Sequence, residues 1–106
     1  MKPGRLRPAA EGDLQAMARW YFDRGGPVLA EKFFDEARGA LLTVESMPTI
    51  GSPRLGLQSD QFNLRSWALA HFPVRWFYFE RDDHLDVVRL LDERQDIASI
   101  FAAGLI

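Results

Sequence analysis

The chain contains no cysteine, which removes disulfides, thiolate metal sites and a cysteine nucleophile, and suits a reducing compartment. Lysine is nearly as scarce, since Lys2 and Lys32 are the only two among thirteen basic residues. The others are arginine, whose planar fork suits carboxylates and phosphates but which stays charged and serves poorly as a general base. Long apolar runs are missing too. No stretch approaches the roughly 18 uncharged residues of a membrane span, and the start of the chain lacks the apolar core of a secretory signal. A cytoplasmic protein without membrane contact is therefore expected. Neither sign of charge dominates: the net charge is −2, with seven basic and seven acidic groups in residues 1–53 and six and eight in residues 54–106. Composition alone gives no pull toward nucleic acid or anionic lipid, so any positive patch has to be built by the fold.

What is present is an apolar fraction of 47% and an aromatic fraction of 12% in 106 residues. A chain of this size buries about two-thirds of its unfolded surface, so a single domain over residues 1–106 with one core is expected. Arg5 to Arg7 can form only a short strand between Pro3, Gly4 and Pro8. From Ala9 the period becomes helical: Leu14, Met17, Ala18, Tyr21 and Phe22 share one face. The run Arg24 to Pro27 ends that helix, because glycine suits a left-handed C-terminal position and proline suits the opening of the next. Ala30, Phe33, Phe34, Ala37, Leu41 and Val44 form a second stripe that Pro48 stops. So short a connection predicts an antiparallel helix hairpin. The segment from Pro48 to Gln61 reads as a loop, followed by strands over Phe62 to Ala70, Pro73 to Glu80 and Leu85 to Leu91. In the middle strand Val74, Trp76 and Tyr78 alternate with Arg75, Phe77 and Phe79, so both faces are apolar and the strand is central. A terminal helix starts with Asp96 as N-cap and runs through Ile97, Ile100 and Phe101. The fold class is thus α+β: a short strand, a helix hairpin, a three-stranded antiparallel meander and a short C-terminal helix.

Ala9, Ala10, Asp13 and Leu14, then Trp20 and Tyr21, Ala30 and Phe33, and Pro48, Gly51 and Pro53, taken in this order, resemble the RelE/ParE superfamily of toxins. Ala9, Ala10, Asp13 and Leu14 match an Ala-Ala-x-x-Asp-Leu pattern, Trp20 and Tyr21 an aromatic pair, Ala30 and Phe33 an Ala-x-x-Phe pattern. Pro48, Gly51 and Pro53 match a Pro-x-x-Gly-x-Pro loop. Leu64 to Ser66, the strand after Pro73 and the segment from Val87 to Ile97 are similar to the second half of the same family. The resemblance implies the toxin of a bacterial toxin-antitoxin pair, with one branch cleaving mRNA on the ribosome and the ParE branch inhibiting DNA gyrase. It also implies a cognate antitoxin whose C-terminal segment folds onto the toxin, by docking in a groove or by adding a strand to an open sheet edge.

Cleavage through a 2′-hydroxyl requires a base, an acid and cations on the phosphate. The nuclease branch is similar at Arg75 and Arg94, with Arg65 as a third cation, but it usually adds lysines and a C-terminal histidine or tyrosine. Here Asp92 lies where several relatives carry histidine, and Phe101 lies where others carry tyrosine. Phenylalanine transfers no proton, and Asp92 with Glu93 would repel a phosphate. The expectation is therefore a gyrase inhibitor with no catalytic residues, no cofactor, no metal and no sequence-specific nucleic-acid binding of its own. The alternatives are a ribosome-dependent mRNA endonuclease using Arg75, Arg94 and Arg65, and a degenerate member that binds its antitoxin without toxicity. The expected contact residues are Trp20, Arg65, Arg75 and Arg94. Each arginine also has an ordinary reading as half of a structural ion pair. Trp20 lies off the apolar stripe and is expected to be exposed, which suits coverage by a partner. His84 belongs to an acidic turn with Asp82 and Asp83 and is read as solvated, while His71 stands before the middle strand. The aromatics Trp67, Phe72 and Trp76 to Phe79 are read as core in preference to a base-stacking surface.

Overall fold

A computed structural model describes residues 1–104. Four strands form one sheet in the order β1 (Gly4–Leu6), β4 (Leu85–Asp92), β3 (Val74–Glu80), β2 (Leu64–Ala68). β2, β3 and β4 are the expected antiparallel meander, and β1 joins β4 in parallel, with Gly4 opposite Leu85 and Leu6 opposite Val87. The strand expected over Phe62 to Ala70 is shorter than its apolar character suggested. Asp60 and Asn63 adopt positive φ, and this turn delays entry into the ladder until Leu64. Between β3 and β4 the register shifts: Phe77 faces Arg89 and Tyr78 faces Val87, so Val88 is the extra residue of a β-bulge.

Helix α1 (Pro8–Ser46) is interrupted at Gly26, whose φ of 75° and ψ of −167° lie outside the helical region. Glycine alone adopts that geometry without a steric penalty. Pro27 follows it and sits at the start of the second limb, where its missing N–H breaks no helical bond. A straight helix of 39 residues would be about 58 Å long, whereas the whole molecule measures 38 Å along its longest axis. The two limbs, 8–25 and 27–46, therefore fold back on each other, as the Tyr21 and Phe33 rings confirm with centroids 4.9 Å apart. This is the expected hairpin.

Both faces of the sheet are covered. Ala10 and Ala18 from the first limb and Phe33, Ala37, Ala40 and Val44 from the second pack on Val74, Trp76, Tyr78, Leu85, Val87 and Leu90. On the opposite face Phe77, Phe79, Val88 and Leu91 join Leu64 beneath Ile97 and Phe101 of α3 (Ile97–Ala102). Asp96 caps α3 as expected, its carboxylate accepting the Ser99 N–H at 3.2 Å. Two expectations need correction. Phe22 and Phe34 were placed on buried stripes, yet they are 46% and 43% exposed. Each follows a residue that does face the core, Tyr21 or Phe33, and one helical step turns it about 100° away. The segment after Pro48 is also not simply a loop: it forms a 3₁₀ turn at Pro48–Ile50 and a short helix, α2 (Arg54–Gln58).

Candidate functional site

A groove of about 490 Å³ runs between the first limb of α1 and the end of the sheet where β3 begins and β4 finishes. Helical spacing brings Asp13, Met17, Trp20 and Tyr21 to one side of it. Val74 forms part of its floor, and Asp92, Arg94 and Gln95 form the opposite wall. Two of the four expected contact residues, Trp20 and Arg94, thus meet in one place.

The charges in this groove are mostly paired within the chain. Asp13 accepts the Nε and Nη2 donors of Arg89 at 2.7 and 2.9 Å, and also the Leu90 N–H at 3.0 Å. Asp92 accepts the Nε and Nη2 donors of Arg94 at 2.8 and 2.6 Å, and the Arg94 N–H at 2.8 Å. The Arg94 hydrogen bonds hold the Asp92 carboxyl below the usual carboxylate range. Burial pushes the Tyr21 phenol up, and the nearby Asp92 charge adds to that while Arg94 opposes it. The Gln95 side-chain oxygen accepts the Asp92 N–H at 3.0 Å. Outside the groove's lining, the Arg24 guanidinium lies 3.4 Å from the centre of the Trp20 ring, and Trp20 meets Tyr21 edge to face at 5.0 Å. Sequence reading gave no role to Arg24; its place four residues after Trp20 on a helix was the available signal.

The other two expected contact residues lie elsewhere. Arg65 donates to the carbonyls of Thr49 and Gly51 at 3.2 and 2.7 Å, so it braces the loop after α1 instead of pairing with an acid. Arg75 is on the α3 face of the sheet and bridges Ser66 Oγ and Glu93 Oε1, each at 3.0 Å. His71 pairs with Glu36 of the second limb through both its N–H and its ring, each at 2.8 Å. His84 is half-buried against Asp83 at 2.7 Å rather than freely solvated. Phe101 is 1% exposed in the second core, where it meets Phe77 at 5.1 Å between centroids. Among the described residues no group of three or more His, Asp or Glu is placed to hold a metal. No described helix is long and apolar enough to cross a membrane.

The sheet edges are blunted along much of their length. Ser52 exchanges two backbone hydrogen bonds with Ser66 on the outer side of β2, at 2.8 and 2.9 Å. Glu45 takes the N–H of Gly4 on β1, and Asp13 takes that of Leu90 where β4 extends past β1. Covered edges of this kind resist pairing with a further strand.

The family model for the ParE toxin of type II toxin-antitoxin systems, parDE, matches residues 5–97. Among solved structures, the chain is similar to one described as a chromosomal ParDE TA system from P. aeruginosa, with a TM-score of 0.72 and 18% identity. That match covers 85% of this chain and 94% of the other. No curated protein matches the chain closely enough to count as a relative.

Proposed function

This chain belongs to the ParE toxin family of type II toxin-antitoxin systems, and we propose that within such a system it inhibits DNA gyrase in the bacterial cytoplasm and is neutralised by a cognate antitoxin protein. The observation that carries the choice of target is the state of the three arginines that a ribonuclease would turn toward a phosphate. Arg65 is held by backbone carbonyls, Arg75 by Ser66 and Glu93, and Arg94 by both oxygens of Asp92. Arg65 and Arg75 do not line the groove that Arg94 lines, and Phe101, in the region where the resemblance places tyrosine in other members, is buried in the core. General acid–base cleavage needs its cations and proton carriers to converge within hydrogen-bond reach of one substrate. Inhibition through an interface has no such requirement. The likeness to a protein described as part of a ParDE system supports the antitoxin as partner, and the groove bearing Trp20 and Arg94 is the contact surface that best fits it.

The test is a supercoiling assay with purified gyrase, run beside a translation reaction probed for cut mRNA. Supercoiling lost on adding this protein and restored by antitoxin, with mRNA intact, is the expected result. Cut mRNA with normal supercoiling would overturn the gyrase reading and make Arg75 and Arg94 the first residues to examine.

A further inference from the structure

A pocket of about 300 Å³ lies at the opposite end of β3 from the groove bearing Trp20 and Arg94, lined by Pro53, Leu57, Phe62, Asn63, Arg65 and Glu80. Val74 lines the groove and Glu80 the pocket, and the rise of the strand between them is about 20 Å. Arg65 gives the pocket its charge. Its Nη1 donates to the Thr49 and Gly51 carbonyls, while Nε and Nη2 make no hydrogen bond among the described residues. Arg65 also forms no ion pair among them, because Glu80 is taken by Lys2 at 2.9 Å. The walls are apolar and open to solvent, with Leu57 54% and Phe62 72% exposed.

A closed turn holds Phe62 in that position. The Gln61 N–H donates to the Gly56 carbonyl at 2.8 Å and the Leu64 N–H to the Gln61 carbonyl at 3.3 Å. Asp60 and Asn63, on either side of Phe62, take φ of 55° and 69°, a region that these two residue types tolerate better than most. Gly56 lets the turn close, since a β-carbon there would run into the Leu64 carbonyl oxygen. The chain thus spends two left-handed residues on presenting an aromatic ring to water beside an uncompensated cation, which suits a surface that a partner covers.

We propose that this pocket is where the protein grips its target, taking a carboxylate side chain of DNA gyrase onto Arg65 with the apolar surface around that carboxylate packed on Leu57 and Phe62. The inference rests on the gyrase reading and adds to it a place on this chain and the chemistry of the residue recognised. The free Nε and Nη2 donors of a guanidinium match the two oxygens of one carboxylate. A nucleic-acid strand is the weaker fit. Its repeated phosphates call for several cations in a row, whereas Arg65 is the one uncompensated charge of this pocket, and the apolar walls would go unused.

The experiment measures supercoiling by purified gyrase holoenzyme against rising amounts of the full-length chain, and binding of the chain to immobilised gyrase at low and high sodium chloride. F62A is expected to raise the half-inhibiting concentration about tenfold. R65M is expected to do the same, but it also frees the Thr49 and Gly51 carbonyls, so the charge test is carried by F62R and F62E. Both remove the ring; F62E is expected to bind gyrase at least about threefold more weakly than F62R at low salt, with the difference closing at high salt. V28E changes an exposed apolar residue that does not line the pocket and is expected to shift inhibition less than about twofold. Circular dichroism on every variant checks that the fold is intact. Wild-type inhibition by F62A, equal binding by F62R and F62E at low salt, or an equal loss in V28E overturns the proposal while leaving the gyrase reading in place. Binding of the wild-type chain to a linear DNA duplex without gyrase, lost in F62A, would assign the pocket to nucleic acid and also overturn it. A wild-type chain that leaves supercoiling untouched removes the gyrase reading and this inference with it.

Discussion

The Asp13 carboxylate joins three groups at once: it accepts both fork nitrogens of Arg89, at 2.7 and 2.9 Å, and the backbone N–H of Leu90 at 3.0 Å. The first limb of α1 thereby supplies the hydrogen bond that a neighbouring strand would otherwise make to β4. Both side chains are mostly shielded from solvent, at 15% and 16% exposure. Removing the acid strands a cation and a backbone donor together. D13A is expected to lower unfolding stability by about 2–3 kcal/mol, measured by urea denaturation, and the double variant D13A/R89A is expected to recover part of that loss.

Gly51 and Tyr78 fix the loop that leaves α1. The Tyr78 hydroxyl donates to the Pro48 carbonyl at 2.6 Å and accepts the Gly51 N–H at 3.1 Å. A β-carbon at position 51 would run into that hydroxyl and into the Arg65 side chain. Y78F is expected to cost about 1–2 kcal/mol, because a donor and an acceptor of the loop lose their partner. G51A is expected to cost more than Y78F, since it displaces the loop that Arg65 and Tyr78 jointly hold. Thermal unfolding of the two variants side by side would check the order.

These two relationships also mark where the sequence stops being informative. The hairpin, the meander and the two-faced middle strand follow from periodicity, and a glycine followed by proline at positions 26 and 27 announces the break in α1. The exposure of Phe22 and Phe34 does not follow, because an apolar residue at the edge of a helical stripe has the same spacing signature whether or not the facing sheet is wide enough to cover it. The ordinary reading of Arg65, beside its reading as a contact residue, pairs it with an acid. It meets carbonyls because the loop folds back onto β2, an arrangement set by Gly51 and Tyr78 27 residues apart in the chain. In the groove, Trp20 was legible as an aromatic off the stripe and Arg94 as a cation after the last strand. That they share one groove depends on the packing of α1 on the sheet, which local pattern does not encode.

Stability is expected to fall in acid through Asp86. Its carboxyl is held below the usual range first by hydrogen bonds from Arg7, at 2.9 and 2.7 Å, and then by one from Arg81 at 3.0 Å. A carboxyl whose folded value lies below its unfolded value contributes stability that is complete above the unfolded value, about pH 4. That contribution is lost as the pH drops through the folded value. Urea midpoints measured from neutrality downward should therefore decline below about pH 4. The gap between wild type and D86N should be widest near neutrality and close in acid; a constant gap would count against this assignment.

Trp20 and Trp76 are expected to give opposite results. Trp76 is 1% exposed at the centre of β3, packed beneath the helix hairpin, and its indole N–H donates to the Ala37 carbonyl at 2.9 Å. Truncating it leaves a cavity in the core, so W76A is expected to cost about 3–5 kcal/mol. Trp20 is 42% exposed, and its notable interaction is with the Arg24 guanidinium, a contact worth about 0.5–1 kcal/mol at such a site. W20A should therefore shift unfolding stability by no more than about 1 kcal/mol while changing how the protein meets its partner. Urea titrations followed by circular dichroism on both variants, beside antitoxin binding for W20A, would check the division. A loss in W20A as large as that in W76A would mean that Trp20 belongs to the core of this protein, and the groove would lose its anchor for a partner.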